Sequence, residues 1–216
     1  MSVKRVGILI SGRGSNMSSL IAAAAKPGFP AEIVTVISNR PAAEGLTRAA
    51  EAGIATIALD HKAYANRLAF DAALDEALKA AKVDIVCPAG FMRLLTPEFT
   101  RRWQGRMINI HPALLPSFKG LHTHERALDE GVKIHGCTVH FVTAEMDVGP
   151  IIMQAAVPVM EEDTPSSLGA RVLAQEHVIY PAALRLVCED RARIEGARAV
   201  IDEFGLADRA LVVPGA

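Results

Sequence analysis

The sequence predicts an α/β fold with a doubly wound, mostly parallel sheet and an antiparallel part toward the C-terminus. Short apolar runs rich in branched residues alternate with segments of helical spacing, and short loops join them, a pattern typical of parallel sheets. Late in the chain, two runs with period-2 alternation are joined by a turn, which indicates a hairpin. The chain has 216 residues, enough for one core. We therefore expect a single domain over residues 1–216, with an irregular tail from about residue 205.

The first half of the chain contains the predicted parallel strands. Residues 6–10 form a branched apolar run typical of a buried strand, and the helix that follows is closed by Pro27 and Gly28. Residues 67–80 are rich in alanine and carry apolar side chains along one side, which predicts an amphipathic helix. In chain order, the predicted strands and helices of this half are 6–10, 17–25, 32–38, 45–52, 54–59, 67–80, 84–89 and 96–103.

The second half begins with a strand over 107–110, which Pro112 and Pro116 bring to an end. A polar loop over 115–134 follows, with a helical turn at 125–130, and loops of this length are typical of lids and binding loops. The hairpin strands are predicted at 136–142 and 151–159. A capping residue before Pro165 predicts a long helix to about residue 179, where Pro181 kinks or restarts it. Residues 193–204 are predicted to form a closing edge strand and turn.

Composition and charge argue against several classes of protein. The chain carries 23 Lys and Arg against 24 Asp and Glu, and this balance does not suit a nucleic-acid or anionic-membrane surface. No apolar stretch reaches the length of a membrane span, and the apolar run after Arg5 is too short for a signal-peptide core. The 3 cysteines are far apart and odd in number, which argues against a disulfide framework. We expect a cytoplasmic protein that acts on small molecules.

The first predicted strand runs directly into the glycine turn Ser11-Gly-Arg-Gly-Ser-Asn16 and then a helix. Glycines allow the backbone to approach a phosphate, and a helix N-terminus offers free N–H donors. The second strand ends in Ser38-Asn39-Arg40 and lacks the acidic residue that a dinucleotide site places near there. The pattern favours a single phosphate held around Gly14, Ser15 and Asn16. The alternative is a tight turn in which Ser15 or Asn16 caps the helix.

Asn109 lies in the strand at 107–110, and His111 follows it directly. Because side chains alternate along a strand, the two residues share one face. In an open α/β sheet, ligands bind beyond the carboxyl ends of the strands. An amide donor beside a titratable ring at that place suits chemistry on a carbonyl group. Such a pair at a strand end also occurs as a purely structural hydrogen-bonding pair, so this pattern alone leaves both interpretations open.

Asp147 lies in the turn of the predicted hairpin. Together with Asn109 and His111, it forms a set of three polar side chains that suits attack on a carbonyl group. When an amine attacks a carbonyl, negative charge builds on oxygen, and donors aimed at that oxygen lower the barrier. Asn109 can supply one N–H, and a protonated His111 can supply another or act as general acid. A carboxylate beside an imidazole favours its charged form, and tuning the pKa of His111 is the role we expect for Asp147. No Ser or Cys sits in a nucleophile-elbow pattern, so direct transfer is more economical than a covalent intermediate.

A set of segments along the chain carries a specific pattern. They are Ile10-Ser-Gly-Arg-Gly-Ser-Asn16, Ala89-Gly-Phe-Met-Arg-Leu-Leu95, the stretch from Asn109 to His124, the stretch from His135 to Val142, Asp147-Val-Gly-Pro-Ile151 and Gln175-Glu-His-Val-Ile-Tyr-Pro181. Taken in order over roughly residues 3–190, they resemble the glycinamide ribonucleotide transformylases, which are folate-dependent phosphoribosylglycinamide formyltransferases of purine synthesis. The resemblance implies a Rossmann-like formyltransferase fold and a monomer or homodimer.

The resemblance also implies a reaction and its residues. The glycinamide amine of the ribonucleotide attacks the formyl carbon of 10-formyltetrahydrofolate, a co-substrate, and the family needs no metal. The catalytic trio of the family matches Asn109, His111 and Asp147. The ribonucleotide contacts match Gly14, Ser15, Asn16 and Glu176. The folate contacts match Arg67, Met92, Arg93, Leu94, Leu95 and Asn109. In the family the loop after His111 changes conformation, which suits residues 113–132 here.

Several other functions are open to the same sequence. A 10-formyltetrahydrofolate hydrolase of the same fold would use water in place of the amine, but the phosphate turn would then have no purpose. A methionyl-tRNA formyltransferase would need a further RNA-binding domain and more positive charge. A metal hydrolase could use His122, His124, His140 and Asp147, because His-x-His is a fair metal pair. A non-enzymatic nucleotide-binding sensor could use the same sheet, but it would not need Asn109, His111 and Asp147 in one site.

Overall fold

The structure is a computed structural model that describes residues 3–202 and residue 213. The strands are β1 (Lys4–Ile10), β2 (Ala31–Ser38), β3 (Thr56–Ala58), β4 (Ile85–Pro88), β5 (Ile108–His111), β6 (Ile134–Phe141), β7 (Ile151–Pro158), β8 (Ala192–Glu195) and β9 (Arg198–Ile201). The helices are α1 (Ser15–Ala24), α2 (Glu44–Glu51), α3 (Arg67–Ala80), α4 (Pro97–Arg102), α5 (Thr123–Asp129) and α6 (Pro165–Cys188).

The main sheet consists of a parallel part and an antiparallel part. The parallel strands lie in the order β3-β2-β1-β4, and the antiparallel strands in the order β5-β6-β7. A parallel bridge between Val86 and Met107 joins the two parts, and the Val86 N–H donates to the Arg106 carbonyl over 2.8 Å. Beyond this bridge, the Tyr180 hydroxyl lies 2.8 Å from the Pro88 carbonyl and 2.9 Å from the Ile108 carbonyl. A buried hydroxyl therefore connects β4 and β5 beyond the point where the two strands pair directly.

Apolar side chains cover both faces of the sheet. One cluster includes Ile8 and Ile10 and the buried faces of α1 and α6. The other includes Leu9 and Ile37 and the buried faces of α3 and α4. Since neighbouring residues of β1 enter opposite clusters, this strand is buried on both sides, as its continuous apolar run predicts.

The predicted fold class is confirmed, with some differences in detail. The antiparallel part already includes β5, because β5 pairs with β6. The long helix does not stop near residue 179: α6 runs through Pro181 to Cys188. Burial of Tyr180 and Leu184 on both sides of the proline offsets the backbone hydrogen bond that proline cannot make. The closing edge forms a hairpin, β8–β9, and the tail predicted from residue 205 lies outside the described residues apart from residue 213.

Within the part of the chain that the structure describes, no helix is long and apolar enough to cross a membrane. Cys87, Cys137 and Cys188 are buried and free. Burial raises the pKa of the Cys137 and Cys188 thiols to about 12. Such thiols are inert packing residues rather than nucleophiles.

Candidate active site

The register between β5 and β6 builds the centre of the site. It places Asn109 opposite His140 and His111 opposite Thr138. Because side chains alternate along each strand, these four residues share one face of the sheet. The turn between β6 and β7 then brings Asp147 to the same place, with a left-handed backbone at φ 55°.

His111 contacts an oxygen atom at each of its ring nitrogens. Its Nδ1 lies 3.5 Å from Asp147 Oδ2, and its Nε2 lies 2.9 Å from the backbone carbonyl of Phe118. Asp147 is held in turn by the Gly120 N–H, which donates to Oδ2 over 2.9 Å. The side chains of His111 and Asp147 are only 6% and 10% exposed. The predicted trio is therefore brought together in a site that is largely shielded from water.

The loop after His111 is anchored by buried side chains of β6 and β7. The Thr138 hydroxyl donates to the Ala113 carbonyl over 2.7 Å and accepts from the Leu115 N–H over 3.0 Å. The Gln154 amide donates to the Leu115 carbonyl over 2.9 Å. These bonds give the loop backbone buried side-chain partners, and they hold the chain immediately after His111.

A cavity of about 740 Å³ opens in front of the trio. The cavity surface is mostly apolar and includes the backbone-rich segment that follows β4. The residues predicted to bind folate that line the cavity are Met92, Arg93, Leu94, Leu95 and Asn109. Arg67 lies elsewhere: it is the exposed first residue of α3 and belongs to the lining of neither cavity described here.

A second, smaller cavity lies at the glycine turn after β1. Gly14 is the residue before α1 and has a left-handed backbone at φ 73°, and no side chain caps the helix. The alternative in which Ser15 or Asn16 caps the helix is therefore wrong, and the first N–H groups of α1 are free to bind an anion. Arg13 and Arg40 supply positive charge to the lining.

Glu176 reaches the glycine turn from α6. The Asn16 amide donates to Glu176 Oε2 over 2.6 Å, although the two residues are 160 positions apart. Burial raises the pKa of the Glu176 carboxyl, and the hydrogen bond from Asn16 acts in the opposite direction. The predicted ribonucleotide contacts therefore meet at one end of the site.

Sequence reasoning missed several residues of the site. His140 was considered only as a possible metal ligand, and Thr138, Gln154 and Arg40 were given no role. The alternation in 136–142 places Thr138 and His140 on one face, and this was the available signal. Among the described residues, no group of three or more His, Cys, Asp or Glu side chains could hold a metal ion.

Comparisons with known proteins agree with one another. Residues 4–184 match the formyl transferase family. The chain is 44% identical to the phosphoribosylglycinamide formyltransferase of Escherichia coli (strain K12), over 90% of this chain and 92% of that protein. It is 53% identical to the trifunctional purine biosynthetic protein adenosine-3 of Bos taurus over 88% of this chain, but spans only 19% of that protein's length. The structure of glycinamide ribonucleotide transformylase 1 from Symbiobacterium toebii superposes with a TM-score of 0.90 at 50% identity, covering 92% of this chain and 94% of that one.

Proposed function

The chain belongs to the formyl transferase family, and we propose that it transfers the formyl group of 10-formyltetrahydrofolate to the glycinamide amine of 5-phosphoribosylglycinamide. The observation that carries this proposal is the position of the trio relative to the two cavities. Gly90 and Met92 line both cavities, and Asn109, His111 and Asp147 line the larger one. A ribonucleotide and a folate bound in neighbouring cavities would meet at the trio.

The smaller cavity suits the phosphate of the ribonucleotide. Free N–H groups at the start of α1 and the guanidinium groups of Arg13 and Arg40 favour a dianion there. The Glu176 carboxylate, held by Asn16, would accept hydrogen bonds from the ribose hydroxyls. The larger, mostly apolar cavity suits a flat pterin, with the backbone of residues 92–95 as its polar edge.

Asn109 and His111 would stabilise the charge that develops on the formyl oxygen. The amine nitrogen forms a bond to the formyl carbon, and the oxygen of the tetrahedral intermediate carries negative charge until the bond to folate N10 breaks. An amide N–H and an imidazolium N–H directed at this oxygen lower the barrier. The proton lost by the amine balances the proton gained by N10, and the His111 ring would carry it between them.

The two oxygen contacts of His111 explain how it can act as this donor. The imidazolium form carries an N–H group on each ring nitrogen. It can therefore donate to both of the oxygen atoms that contact the ring. Asp147 would retain its contact with Nδ1 throughout the reaction. The formyl oxygen would take the place of the Phe118 carbonyl at Nε2, so the loop that carries Phe118 would have to move when substrate binds.

The experiment that tests this proposal is a spectrophotometric transfer assay with 10-formyl-dideazafolate, a stable folate analogue. The assay is run with and without 5-phosphoribosylglycinamide. We expect loss of the formyl group only when the ribonucleotide is present. Loss without the ribonucleotide would replace the transferase by a hydrolase, and no loss in either case would contradict the proposed chemistry.

A further inference from the structure

His140 lies opposite Asn109 in the pairing of β6 with β5, and both of its ring nitrogens have partners. Nδ1 is 2.9 Å from the Phe141 carbonyl, and Nε2 is 3.4 Å from the amide nitrogen of Asn109. A carbonyl can only accept a hydrogen bond, so Nδ1 carries the hydrogen. In the neutral ring Nε2 is then a hydrogen-bond acceptor. It can accept a hydrogen from the amide nitrogen of Asn109, but it cannot bond to the amide oxygen.

The surroundings of His140 keep its ring neutral. The residue is 2% exposed, and burial lowers its pKa. The positive charge of His111 lowers the pKa further, while the hydrogen bond with Phe141 and the charge of Asp147 act in the opposite direction. Asp147 Oδ1 is 3.9 Å from Nε2, beyond hydrogen-bond distance, so the carboxylate does not hold a proton on that nitrogen.

Gly149 also packs closely against the ring, next to Nδ1. A Cβ atom on Gly149 would lie 3.3 Å from His140 Nδ1 and 1.7 Å from the Phe141 carbonyl oxygen. The chain after Asp147 therefore approaches the ring so closely that only glycine fits. With the carbonyl on one nitrogen and Gly149 against the ring, Nε2 is directed at Asn109.

The orientation of the Asn109 amide matters because its two ends have almost the same shape and opposite hydrogen-bonding character. With the nitrogen toward the cavity, the amide donates to the formyl oxygen. With the oxygen toward the cavity, two acceptors face each other and the stabilisation of the intermediate is lost. Among the described residues, His140 is the only side chain that hydrogen-bonds the amide nitrogen of Asn109.

We propose that His140 is a positioning residue for the formyl transfer. Its Nε2 accepts one hydrogen of the Asn109 amide nitrogen, so that the second hydrogen of the same nitrogen is presented to the formyl oxygen. This inference rests on the proposed function, and it assigns His140 a role that operates through Asn109 rather than by contact with either substrate.

A double-mutant cycle tests the inference. We expect His140→Ala to lower kcat about 10-fold or more, less than the ~10²–10³-fold loss that follows removal of one such donor. The KM for the ribonucleotide should stay within about twofold, because the glycine turn at residues 11–16 is unchanged. In an Asn109→Ala background the same change should cost less than about twofold, since no amide remains to be oriented. Equal losses in the two backgrounds would overturn the proposal.

A conservative variant separates orientation from packing. In His140→Gln the amide oxygen can replace Nε2 as acceptor, so we expect kcat to recover to within about threefold of the unmodified enzyme. Val139→Ala loosens the same strand on its opposite face and should lower the melting temperature with kcat unchanged. If Gln restores nothing, or if Val139→Ala lowers kcat as His140→Ala does, the role is structural and the proposal fails.

A measurement without turnover keeps this inference separate from the proposed function. Imidazole ¹⁵N NMR of the substrate-free protein near neutral pH should show His140 protonated at Nδ1 and unprotonated at Nε2. A proton on Nε2 would overturn the inference even if the protein transfers formyl groups normally. Absence of transfer by the unmodified protein would contradict the proposed function while leaving the tautomer result intact.

Discussion

The two ends of the site are built in different ways. The end proposed to bind phosphate, called the phosphate end, is a short continuous turn, residues 11–16, that offers backbone N–H groups and the start of α1. The catalytic end is assembled from side chains far apart in sequence, such as Asn109 and His140, which are 31 residues apart and meet only through strand pairing. A local motif is enough for the first end, whereas the second depends on register. Substitutions should therefore affect the two ends differently.

The largest effect is expected at the catalytic end, from loss of a side chain. His111→Ala removes the donor that we propose for the formyl oxygen, and we expect kcat to fall by 10² or more, on the ~10²–10⁴ scale of general acid–base catalysis. At the phosphate end, Ser15→Ala keeps the backbone N–H groups and should mainly raise the KM for the ribonucleotide. Steady-state kinetics on both variants measure the contrast. Undiminished turnover by His111→Ala would remove His111 from the mechanism.

The second effect concerns stability. A Cβ on Gly149 would lie 1.7 Å from the Phe141 carbonyl oxygen, so Gly149→Ala must separate β7 from β6 locally. Overpacking against backbone typically costs ~1–3 kcal/mol, and we expect about 3 kcal/mol or more here because no flexible side chain can give way. Urea unfolding followed by circular dichroism measures the loss.

The matched control for Gly149 comes from the phosphate end. A Cβ on Gly12 meets nothing within 4 Å, so Gly12→Ala should change the free energy of unfolding by less than ~0.5 kcal/mol. If the two variants had the same free energy of unfolding, the close packing around Gly149 would not contribute to stability, and the two ends of the site would not differ in this respect.

The same difference explains how much could be predicted from the sequence. The glycine turn and the parallel strands are local patterns, and both were found. Asn109, His111 and Asp147 were predicted through strand alternation and a family resemblance, and the structure brings them together. His140 and Thr138 were missed as partners because cross-strand register is not visible in a single sequence. The continuation of α6 through Pro181 was missed because burial on the sheet outweighs the local preference of proline.

Glu176 gives a third test, because it joins α6 to the phosphate end. Burial raises the pKa of this carboxyl, with Asn16 acting against the shift, and its ionised form is the one proposed to accept hydrogen bonds from ribose hydroxyls. We therefore expect the KM for the ribonucleotide to rise as the pH falls toward this raised pKa. Glu176→Ala should raise KM about 10-fold at neutral pH, which corresponds to ~1.4 kcal/mol, with little change in kcat.

Glu176→Gln is the control for the pH effect. The Gln side chain keeps the size of Glu and cannot ionise, so its KM should not vary with pH over the same range. A KM that still rises in acid for Glu176→Gln would assign the effect to another group, and a fall in kcat for Glu176→Ala would show that the phosphate end and the catalytic end are not separable.

The smallest effect is a loss of folding stability at mildly acidic pH, and we expect it to arise from a buried histidine near His111. His135 lies under the loop after His111, with Nε2 3.2 Å from His124 Nδ1 and its ring 5.6 Å from that of Phe118. Burial, together with the nearby charge of His124, lowers the pKa of His135 to about 4. An unfolded histidine titrates near ~6.5, so the unfolded state binds more protons between these values. Stability is therefore lost as the pH falls from about 6.5 toward 4, by about 0.8 kcal/mol at pH ~6.

His135→Phe removes this titration and keeps an aromatic ring against Phe118. We expect its free energy of unfolding to depend less on pH between about 6.5 and 4 than that of the unmodified protein, as measured by urea unfolding at several pH values. His122→Gln is the matched control, because the His122 side chain is 75% exposed and its loss should leave the pH dependence unchanged. If His122→Gln reduces the pH dependence of the free energy of unfolding and His135→Phe does not, the effect arises from exposed histidines. If His135→Phe reduces that dependence, acid acts on the buried histidine beneath the loop after His111.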